Sequence, residues 1–472
     1  MHSPKPIRLV LASSLFAYPN SEEQWYGAYA GALAIQAERA LACSLGDPTS
    51  LIARSAQNDQ LRSLWRFLAG LQLLQLDSTA LDSAIAMWVD AQREMLLRLH
   101  QDLAALGQWL PDRSLSGKVV RIEANLSDLH DGARSTAMLT FESGERVVYK
   151  PRGIEIEDWY AQLTQWLNDG GAPVTFRSAA VLARDGYGWM QFVPHQRCQS
   201  QGELRDYYHN AGALLCVLHL LRATDCHFQN LIACGEYPVL VDAEMLFQPS
   251  LETLDSTIVT RTGLIPSFRF GPDGQTYDVS ALGFLCPQIT HFLVPEWGEG
   301  GVRFVFGRLV PDKNVPFAQK DQPRPQDYVE EMVDGFRLTY RFALRNREAL
   351  LKRIEPAASL QIRYLVRETT EYYMAWNGDA RAALILPDLQ PSRTALSALR
   401  SEELAALRQF DIPRFTLAAA SPSIHGAGNC FPRSGHELVI TGIHELSNHD
   451  LEKQLQHLRL SWGFSQAAKS LA

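Results

Sequence analysis

Apolar and polar residues alternate with a helical period at both ends of the chain and with a strand period between them. Over residues 78–106 apolar positions recur every three to four residues behind Ser78, a typical N-cap, which predicts an amphipathic helix. Residues 1–115 as a whole are predicted to be helical. The pattern is mostly helical again from about residue 355 to residue 472.

The period shortens to that of strands after residue 115. Residues 137–150 predict a β-hairpin that turns at "ESGE" and ends at Lys150, and a second hairpin turns at Asp185–Gly186. Between them, "IEIEDWYAQLTQWLNDGG" predicts a short amphipathic helix. "ELRDYYHNAGALLCVLHLLRA" predicts another helix, so the pattern favours an α+β fold. The Pro-rich, charged residues 311–327 predict an exposed loop.

Polar residues follow that second helix at a spacing suited to phosphoryl transfer. Asp225 and Asn230 are five residues apart, and Asp242 follows a predicted hairpin, "LIACGEYPVLV". In kinase-like folds one carboxylate orients the attacking hydroxyl, an amide and a second carboxylate hold Mg²⁺, and a strand lysine holds the phosphates. Asp225, Asn230, Asp242 and Lys150 match these four roles in this order.

Each of these residues alone has an ordinary structural explanation. An Asp or Asn in a loop more often caps a helix or closes a turn, and a lysine at a strand end is usually solvated. The ordered combination is what favours phosphoryl transfer. The chain has no Walker A motif, and no G-x-G-x-x-G precedes Lys150, which disfavours a P-loop enzyme and an ordinary protein kinase.

Composition excludes some classes of partner and compartment. The 472 residues are 46% hydrophobic, enough for two or three packed regions, and the net charge of −8 gives no indication of a nucleic-acid partner. No apolar run is long enough to span a bilayer, and the apolar N-terminal segment is interrupted by Ser13 and Ser14, which favours a buried segment over a signal peptide. Seven scattered cysteines without C-x-x-C are typical of reduced thiols in a cytoplasmic protein.

Five motifs in order resemble the dehydratase domain of class II lanthipeptide synthetases, the LanM type. They are "DLHDGAR" (128–134), "YKPR" (149–152), "DCHFQNLIA" (225–233), "DAE" (242–244) and "RYLVRETTEY" (363–372). "TGLIPS", "YDVSALG" and "DIPRF" also resemble segments of the family. The resemblance runs from about residue 60 to near the C-terminus, and the first motif departs from the family pattern in having Ala133 between Gly132 and Arg134.

The resemblance implies a lipid-kinase-like, two-lobed catalytic core with additional N-terminal and C-terminal helical regions. Residues 116–195 would form the N-lobe. Residues 196–354 would form the C-lobe with an activation segment. Residues 355–472 would form a helical region that carries the elimination residues.

The resemblance also implies a two-step reaction on a ribosomal precursor peptide with a leader segment. A Ser or Thr hydroxyl is phosphorylated from ATP with Mg²⁺, and phosphate is then eliminated to leave dehydroalanine or dehydrobutyrine. Matching positions assign phosphorylation to Asp225, His227, Asn230 and Asp242, and elimination to Arg363 and Thr369. Asp128, His130 and Lys150 also match active-site positions, without an assignment to either step.

The elimination chemistry is reasonable for these residue types. His130 or Lys150 could act as base or acid, Arg363 offers a planar fork to phosphate, and Thr369 offers a further donor. Six residues along a helix turn through about 600°, so either a helix ends between Arg363 and Thr369 or the two residues approach the site from different sides. The i, i+4 spacing of Arg363 and Arg367 is otherwise typical of a solvated helix face.

The residues after the last motif show no zinc-cyclase pattern. "HELSNH" (444–449) has its histidines five apart, which does not fit a zincin helix, and it is assigned no metal. The sequence therefore predicts a stand-alone dehydratase that forms no thioether rings itself, with a separate cyclase as a possible partner.

Three other functions compete with this one. A kinase-only relative would phosphorylate without eliminating, although the presence of Arg363 and Thr369 argues against it. A metal-dependent hydrolase could use the pairs Asp128/His130 and Asp225/His227, but it leaves Lys150 idle. The last is a scaffold that only binds a peptide.

Overall fold

The computed structural model contains both helices and strands, and the predicted α+β class is confirmed. The structure describes residues 51–60, 63–64, 78–109, 115–251, 258–266, 268–270, 276–284, 288–298, 301–309, 311–317, 324–369, 371–372, 375, 386, 389, 396–424 and 427–469. Most of the predicted N-terminal helical region lies outside these residues.

The α-helices bounded within the described residues are α1 Ser78–Trp109, α2 Glu155–Asp169, α3 Gln201–Leu220, α4 Val329–Arg345, α5 Arg347–Ile354, α6 Arg400–Arg408, α7 Gly435–His444 and α8 Asn448–Lys469. The strands are β1 Val119–Glu123, β2 Ala137–Phe141, β3 Arg146–Lys150, β4 Val181–Arg184, β5 Tyr187–Gln191, β6 Leu231–Cys234, β7 Tyr237–Leu240, β8 Phe268–Phe270, β9 Thr276–Asp278, β10 Gln288–Gly298, β11 Gly301–Leu309, β12 Gln361–Tyr364, β13 Phe415–Ala418, β14 Ser423–Ile424 and β15 Gly428–Asn429. Short 3-10 helices span Val259–Thr262, Pro325–Tyr328 and Glu355–Ser359.

A five-stranded antiparallel sheet forms the first half of the described structure. Its strand order is β1-β2-β3-β5-β4, and α2 lies in the chain between β3 and β4. Both hairpins predicted from the sequence, β2–β3 and β4–β5, are confirmed. The register pairs Lys150 at the end of β3 with Gly188 on β5.

Helix α1 packs its apolar stripe on this sheet. Its buried Met95, Leu96 and Leu99 belong to the same hydrophobic core as strand residues such as Phe141 and Trp189. One buried acid strengthens the contact: Asp102 on α1 accepts hydrogen bonds from Arg184 Nε at 2.7 Å, Tyr187 Oη at 2.8 Å and Trp189 Nε1 at 2.8 Å. Apolar burial and this carboxylate together fix α1 against β4 and β5.

The second half is a larger core built on the helix pair α3 and α4. The two helices approach closely at glycines: a Cβ atom on Gly212 would lie 1.9 Å from the Met332 carbonyl oxygen, and one on Gly335 would lie 1.9 Å from the His209 carbonyl oxygen. Helix α3 begins at the N-cap Ser200, whose side chain accepts from the Glu203 N–H. The helix is followed by the loop that starts at Arg222.

The predicted hairpin after that loop is β6–β7. It turns at Gly235, whose φ of 62° is readily adopted by glycine. The Val241 N–H donates to the Asn230 carbonyl oxygen at 2.9 Å, so the hairpin returns the chain beside its own start. Asp242 therefore follows directly after a residue whose backbone is paired with Asn230.

Residues 355–472 contain strands that the periodicity did not predict. Arg363 lies on β12, paired antiparallel with β13, rather than on a helix. Helical backbone resumes at Thr369, so the helix predicted around Arg363 was wrong. Arg367 is 2% exposed and donates to Glu403 at 2.8 Å, which corrects the solvated helix face expected for it.

The Pro-rich segment is only partly the exposed loop that was predicted. Within the described residues 311–317, Asp312 and Lys313 are exposed, but Asn314, Val315 and Phe317 are buried. Asn314 donates to the carbonyl oxygens of Ala281 and Phe284 at 2.9 and 3.1 Å. The segment is thus held against the residues that follow β9. Across the part of the chain that is described, no helix is long and apolar enough to cross a bilayer.

We predict that Asp102→Ala lowers the free energy of unfolding by about 3 kcal/mol, since it leaves the buried donors of Tyr187 and Trp189 unpaired and removes the partner of Arg184. Urea unfolding followed by circular dichroism measures the change. The matched control is Asp90→Ala on the same helix, because the Asp90 side chain is 68% exposed and forms a surface ion pair with Arg93. Equal losses in the two variants would contradict the structural role given to Asp102.

Candidate active site

Lys150 lies at the junction of the sheet, helix α2 and the β6–β7 hairpin. Its ammonium group is 3.2 Å from Glu157 Oε1 on α2 and 3.1 Å from Asp242 Oδ2, and it donates to the Val241 carbonyl oxygen at 2.9 Å. The side chain is 5% exposed. Lys150 is therefore an internal cation fixed by two carboxylates rather than a solvated strand end.

Arg152, two residues further along the chain, contacts the same two carboxylates and a third one. Its guanidinium is paired with Glu157, lies 3.0 Å from Asp242 Oδ1 and lies 3.0 Å from Glu244 Oε2. Because Asp242 and Glu244 are separated by one residue, their side chains present two adjacent acceptors to the segment 150–152. The segment 242–244 thus binds the end of β3 through two parallel sets of ion pairs.

Glu244 also receives two arginines from the C-terminal region. Arg363 Nη1 on β12 is 2.9 Å from Glu244 Oε1, and Arg414 Nη2, just before β13, is 3.2 Å from Glu244 Oε2. The Arg363 N–H donates to the Glu244 carbonyl oxygen at 2.8 Å. Pairing of β12 with β13 brings Arg363 and Arg414 onto one carboxylate although they are 51 positions apart in the sequence.

The electrostatics of this cluster keep both acids ionised. Burial alone would raise the pKa of Asp242, but Lys150 and then Arg152 lower it below its usual value. Burial alone would also raise the pKa of Glu244, but Arg152, Arg363 and Arg414 hold it well below its usual value. The site therefore keeps its carboxylates charged at neutral pH.

The loop between α3 and β6 carries the predicted phosphorylation residues. Asp225 adopts a left-handed backbone with φ of 61°, and the Cys226 N–H donates to the Thr262 carbonyl oxygen at 2.9 Å, which fixes the turn. Asn230 Nδ2 donates to the Asp225 carbonyl oxygen at 2.9 Å. His227 Nε2 lies 3.8 Å from Asp225 Oδ2. The loop thus presents the Asp225 and His227 side chains together, each a little over one-fifth exposed.

His130 lies close enough to Arg363 to feel its charge, in the turn of the first motif. Its Nδ1 is 2.7 Å from the Ile412 carbonyl oxygen. Burial and the Arg363 guanidinium lower the pKa of His130 below its usual 6.5, against the opposite effects of the Ile412 carbonyl and the Asp128 and Glu244 carboxylates. The imidazole is therefore neutral at pH 7, which suits a proton acceptor.

Arg363 connects the two groups of predicted residues. Burial alone would lower the pKa of its guanidinium, but Glu244, with contributions from Asp128 and Asp225, raises it above its usual value. The structure therefore brings together predicted residues from all five motifs: Asp128, His130, Lys150, Asp225, His227, Asn230, Asp242 and Arg363. Thr369 is half-buried six residues beyond Arg363 and is not part of the ion-pair network described here.

Four members of the network received no role from the sequence: Arg152, Glu157, Glu244 and Arg414. Arg152, Glu244 and Arg414 stand inside the quoted motifs "YKPR", "DAE" and "DIPRF", so membership of a motif was the available signal. Glu157 lies on the first turn of α2 and is 3% exposed. Nothing in the local sequence distinguishes it from the acidic residues beside it.

Oxygen donors suited to a hard cation come together at the hairpin. The ionised Asp242 carboxylate is partly exposed, and the backbone hydrogen bond from Val241 to Asn230 joins the two segments that carry Asp242 and Asn230. Mg²⁺ prefers such oxygen ligands and needs few of them from protein. Among the residues described, no group of three or more His, Cys, Asp or Glu side chains is arranged to hold a metal.

Comparison with known proteins places the chain in a family. Residues 78–418 match the family model "Domain of unknown function (DUF4135)", which covers most of the chain and all five motifs. The chain belongs to this family. DUF4135 is associated with LanM-type enzymes, so the resemblance drawn from the motifs is confirmed at the level of the family.

A curated relative agrees with this assignment. Over 284 residues the chain is 26% identical to "Lacticin 481/lactococcin biosynthesis protein LcnDR2" of Lactococcus lactis subsp. lactis. The match covers 53% of this chain and 30% of that protein, so the chain matches less than a third of the length of its relative.

We predict that Glu244→Gln destabilises the chain by about 3 kcal/mol at pH 7, because one neutral amide would replace the carboxylate that three arginines share. The lowered pKa of Glu244 sets the pH dependence. A carboxylate with a depressed folded-state pKa contributes its stability above its unfolded pKa and loses it as pH falls through the folded value. The difference between wild type and variant should therefore persist at pH 5 and shrink only in stronger acid.

Urea unfolding at several pH values measures this difference. The matched control is Glu402→Gln, an exposed acid on α6 whose carboxylate accepts from the neighbouring Ser401 hydroxyl. A difference that disappears between pH 7 and pH 5, or a control as damaging as the variant, would contradict the description of the cluster.

Proposed function

We propose that this DUF4135 chain is a lanthipeptide-type dehydratase with a lipid-kinase-like core. It phosphorylates Ser and Thr of a ribosomal precursor peptide with ATP and Mg²⁺ and then eliminates the phosphate. One observation carries the proposal: Asp242, assigned to phosphorylation, is separated by one residue from Glu244, which binds the elimination residue Arg363. Asp242 pairs with Lys150, and Glu244 pairs with Arg363.

In the first step the substrate hydroxyl oxygen attacks the γ-phosphorus of ATP. The new O–P bond forms, the bond to the β-phosphate oxygen breaks, and ADP leaves. The Asp225 carboxylate orients the hydroxyl and receives its proton, and His227 beside it supports this carboxylate. The Lys150 ammonium, held by Glu157 and Asp242, stabilises charge on the phosphates of ATP.

The donor set at the hairpin fits Mg²⁺. Asn230 and Asp242 would hold it, since both carry oxygen donors and the Val241–Asn230 backbone hydrogen bond joins their segments. The bound cation would neutralise phosphate charge during transfer. Lys150 and Arg152 already share Asp242, so the carboxylate is held in place from the side of β3.

In the second step a base removes the α-proton of the phosphorylated residue. The electron pair of the Cα–H bond forms the second bond between Cα and Cβ. The Cβ–O bond breaks, and phosphate leaves with the electron pair of that Cβ–O bond. His130 accepts the proton at Nε2, since Nδ1 faces the Ile412 carbonyl. Arg363 and Thr369, together with Arg414, stabilise charge on the leaving phosphate.

The shared segment explains why one site can perform both steps. A phosphate transferred beside Lys150 and Asp242 would lie one residue along the chain from Glu244 and its arginines. The phosphorylated side chain would then need a shift within the site, not release and rebinding of the peptide. Proximity of this kind favours elimination over loss of the intermediate.

We predict that Asp242→Asn abolishes phosphorylation and dehydration together, because it removes the carboxylate assigned to the cation and to Lys150. The substrate is a Ser/Thr-containing peptide with its leader, taken from the same gene neighbourhood. Mass spectrometry after incubation with ATP and Mg²⁺ should show unmodified peptide. Normal water loss by a folded Asp242→Asn protein would reject the kinase-like assignment.

We predict that Arg363→Ala and Thr369→Ala accumulate phosphopeptide. Phosphate transfer should survive, because Asp225, Asn230 and Asp242 lie on another segment, and elimination should slow by roughly 10²-fold, as when one well-placed donor is removed. Peptide mass should rise by the mass of the phosphoryl group rather than fall by that of water. Arg363→Lys, which keeps the charge but loses the fork, should be intermediate.

Thermal unfolding of each variant provides the control for folding. Peptide left unmodified by well-folded Arg363→Ala and Thr369→Ala proteins would show that these residues serve phosphate transfer. Dehydration at the wild-type rate would place the elimination site elsewhere.

A further inference from the structure

The turn that carries His130 has an unusual backbone. Asp131, Gly132 and Ala133 have φ values of 50°, 91° and 61°, three consecutive residues in the left-handed region. Two of them are not glycine, so the conformation costs energy unless other contacts stabilise it. Successive N–H groups in such a turn converge and form a concave binding site for an anion.

The anion in this turn is a side chain from far along the chain, 279 positions from Gly132. Asp411 Oδ2 accepts from the Gly132 N–H at 2.5 Å, and Asp411 Oδ1 accepts from the Ala133 N–H at 2.9 Å. Asp411 is 3% exposed. Burial raises the pKa of this carboxyl, which the two backbone N–H groups and Arg134 oppose. The carboxylate therefore uses both of its oxygens to hold the turn.

The residue next to Asp411 holds the same turn at two more points. The Ile412 N–H donates to the Leu129 carbonyl oxygen at 2.8 Å, and the Ile412 carbonyl oxygen lies 2.7 Å from His130 Nδ1. A carbonyl oxygen can only accept, so Nδ1 carries a hydrogen when this bond is made. The neutral imidazole is then the Nδ1–H tautomer, and its Nε2 lone pair is available.

We propose that Asp411 is a positioning residue for the elimination step, which fixes the turn 130–133 so that the Ile412 carbonyl selects the Nδ1–H tautomer of His130. This proposal rests on the proposed function and adds the group that orients its base. The chain continues from Ile412 through Pro413 to Arg414 at Glu244. Residues 411–414 therefore orient the base His130 and also carry Arg414, one of the arginines proposed to stabilise the leaving phosphate.

The effect of Asp411 on the His130 tautomer can be tested without any substrate. In protein labelled with ¹⁵N-histidine, two-bond ¹H–¹⁵N spectra distinguish the two neutral tautomers, and the His130→Gln variant identifies the His130 signals among the 13 histidines. We expect the Nδ1–H tautomer in the wild type. We expect Asp411→Ala, and to a smaller extent Asp411→Asn, to shift His130 towards the Nε2–H form that is common in water.

The matched control is Asp131→Asn, which neutralises an exposed acid in the same turn. It should leave the His130 tautomer unchanged. An Nε2–H tautomer in the wild type would overturn the proposal even if Asp411→Ala fails to fold. A folded Asp411→Asn or Asp411→Ala protein with the wild-type tautomer would also overturn it, since Asp411 would then be merely structural.

A second measurement uses the peptide substrate. Asp411→Asn should slow elimination by roughly 10²-fold, as expected for a misplaced catalytic group, and should leave phosphorylation within a few-fold of wild type. Equal losses in both steps would contradict a positioning role. A wild-type protein that modifies no peptide would contradict the proposed function alone, because the tautomer is read from the free protein.

Discussion

The segment 242–244 is the constraint on which the rest of the site depends. Its two carboxylates bind Lys150 and Arg152 from the five-stranded sheet and Arg363 and Arg414 from the strands near the C-terminus. Removing so many charges from water costs several kcal/mol per ion, and only close pairing offsets that cost. The cluster is therefore better understood as a device that fixes relative positions than as a source of net stability.

This constraint gives each part of the fold a defined task. The sheet and α2 position Lys150. The hairpin β6–β7 brings the segment before Asp242 back to Asn230, and the β12–β13 pair brings Arg363 to Glu244. The turn with His130 is attached separately, through Asp411 and Ile412. Residues that are far apart in the sequence thus reach one site through backbone pairing first and side-chain charge second.

Much of this arrangement could be predicted from sequence because it is local. Both sheet hairpins, helix α2 and the hairpin before Asp242 have clear periods and turn residues, and the spacing from Asp225 to Asn230 to Asp242 singled out three residues of the candidate site. A helix around Arg363 was wrong because "RYLVR" is too short for its period to distinguish a helix from a strand. The strand β13, which pairs with Gln361–Tyr364 and so makes this segment a strand, lies some fifty residues away in the sequence. The buried partner Glu157 could not be found, since burial depends on contacts that no local pattern encodes, and Asp411 had only its place in the motif "DIPRF" as a signal.

The most direct test of the account follows the γ-phosphorus of ATP. The wild-type chain would be incubated with [γ-³²P]ATP, Mg²⁺ and the Ser/Thr-containing precursor peptide, with label and peptide mass measured over time. The account predicts a transient labelled peptide, and labelled inorganic phosphate formed in equal amount to the water lost from the peptide. A labelled peptide that persists without water loss, or hydrolysis of ATP with the peptide unchanged, would contradict it.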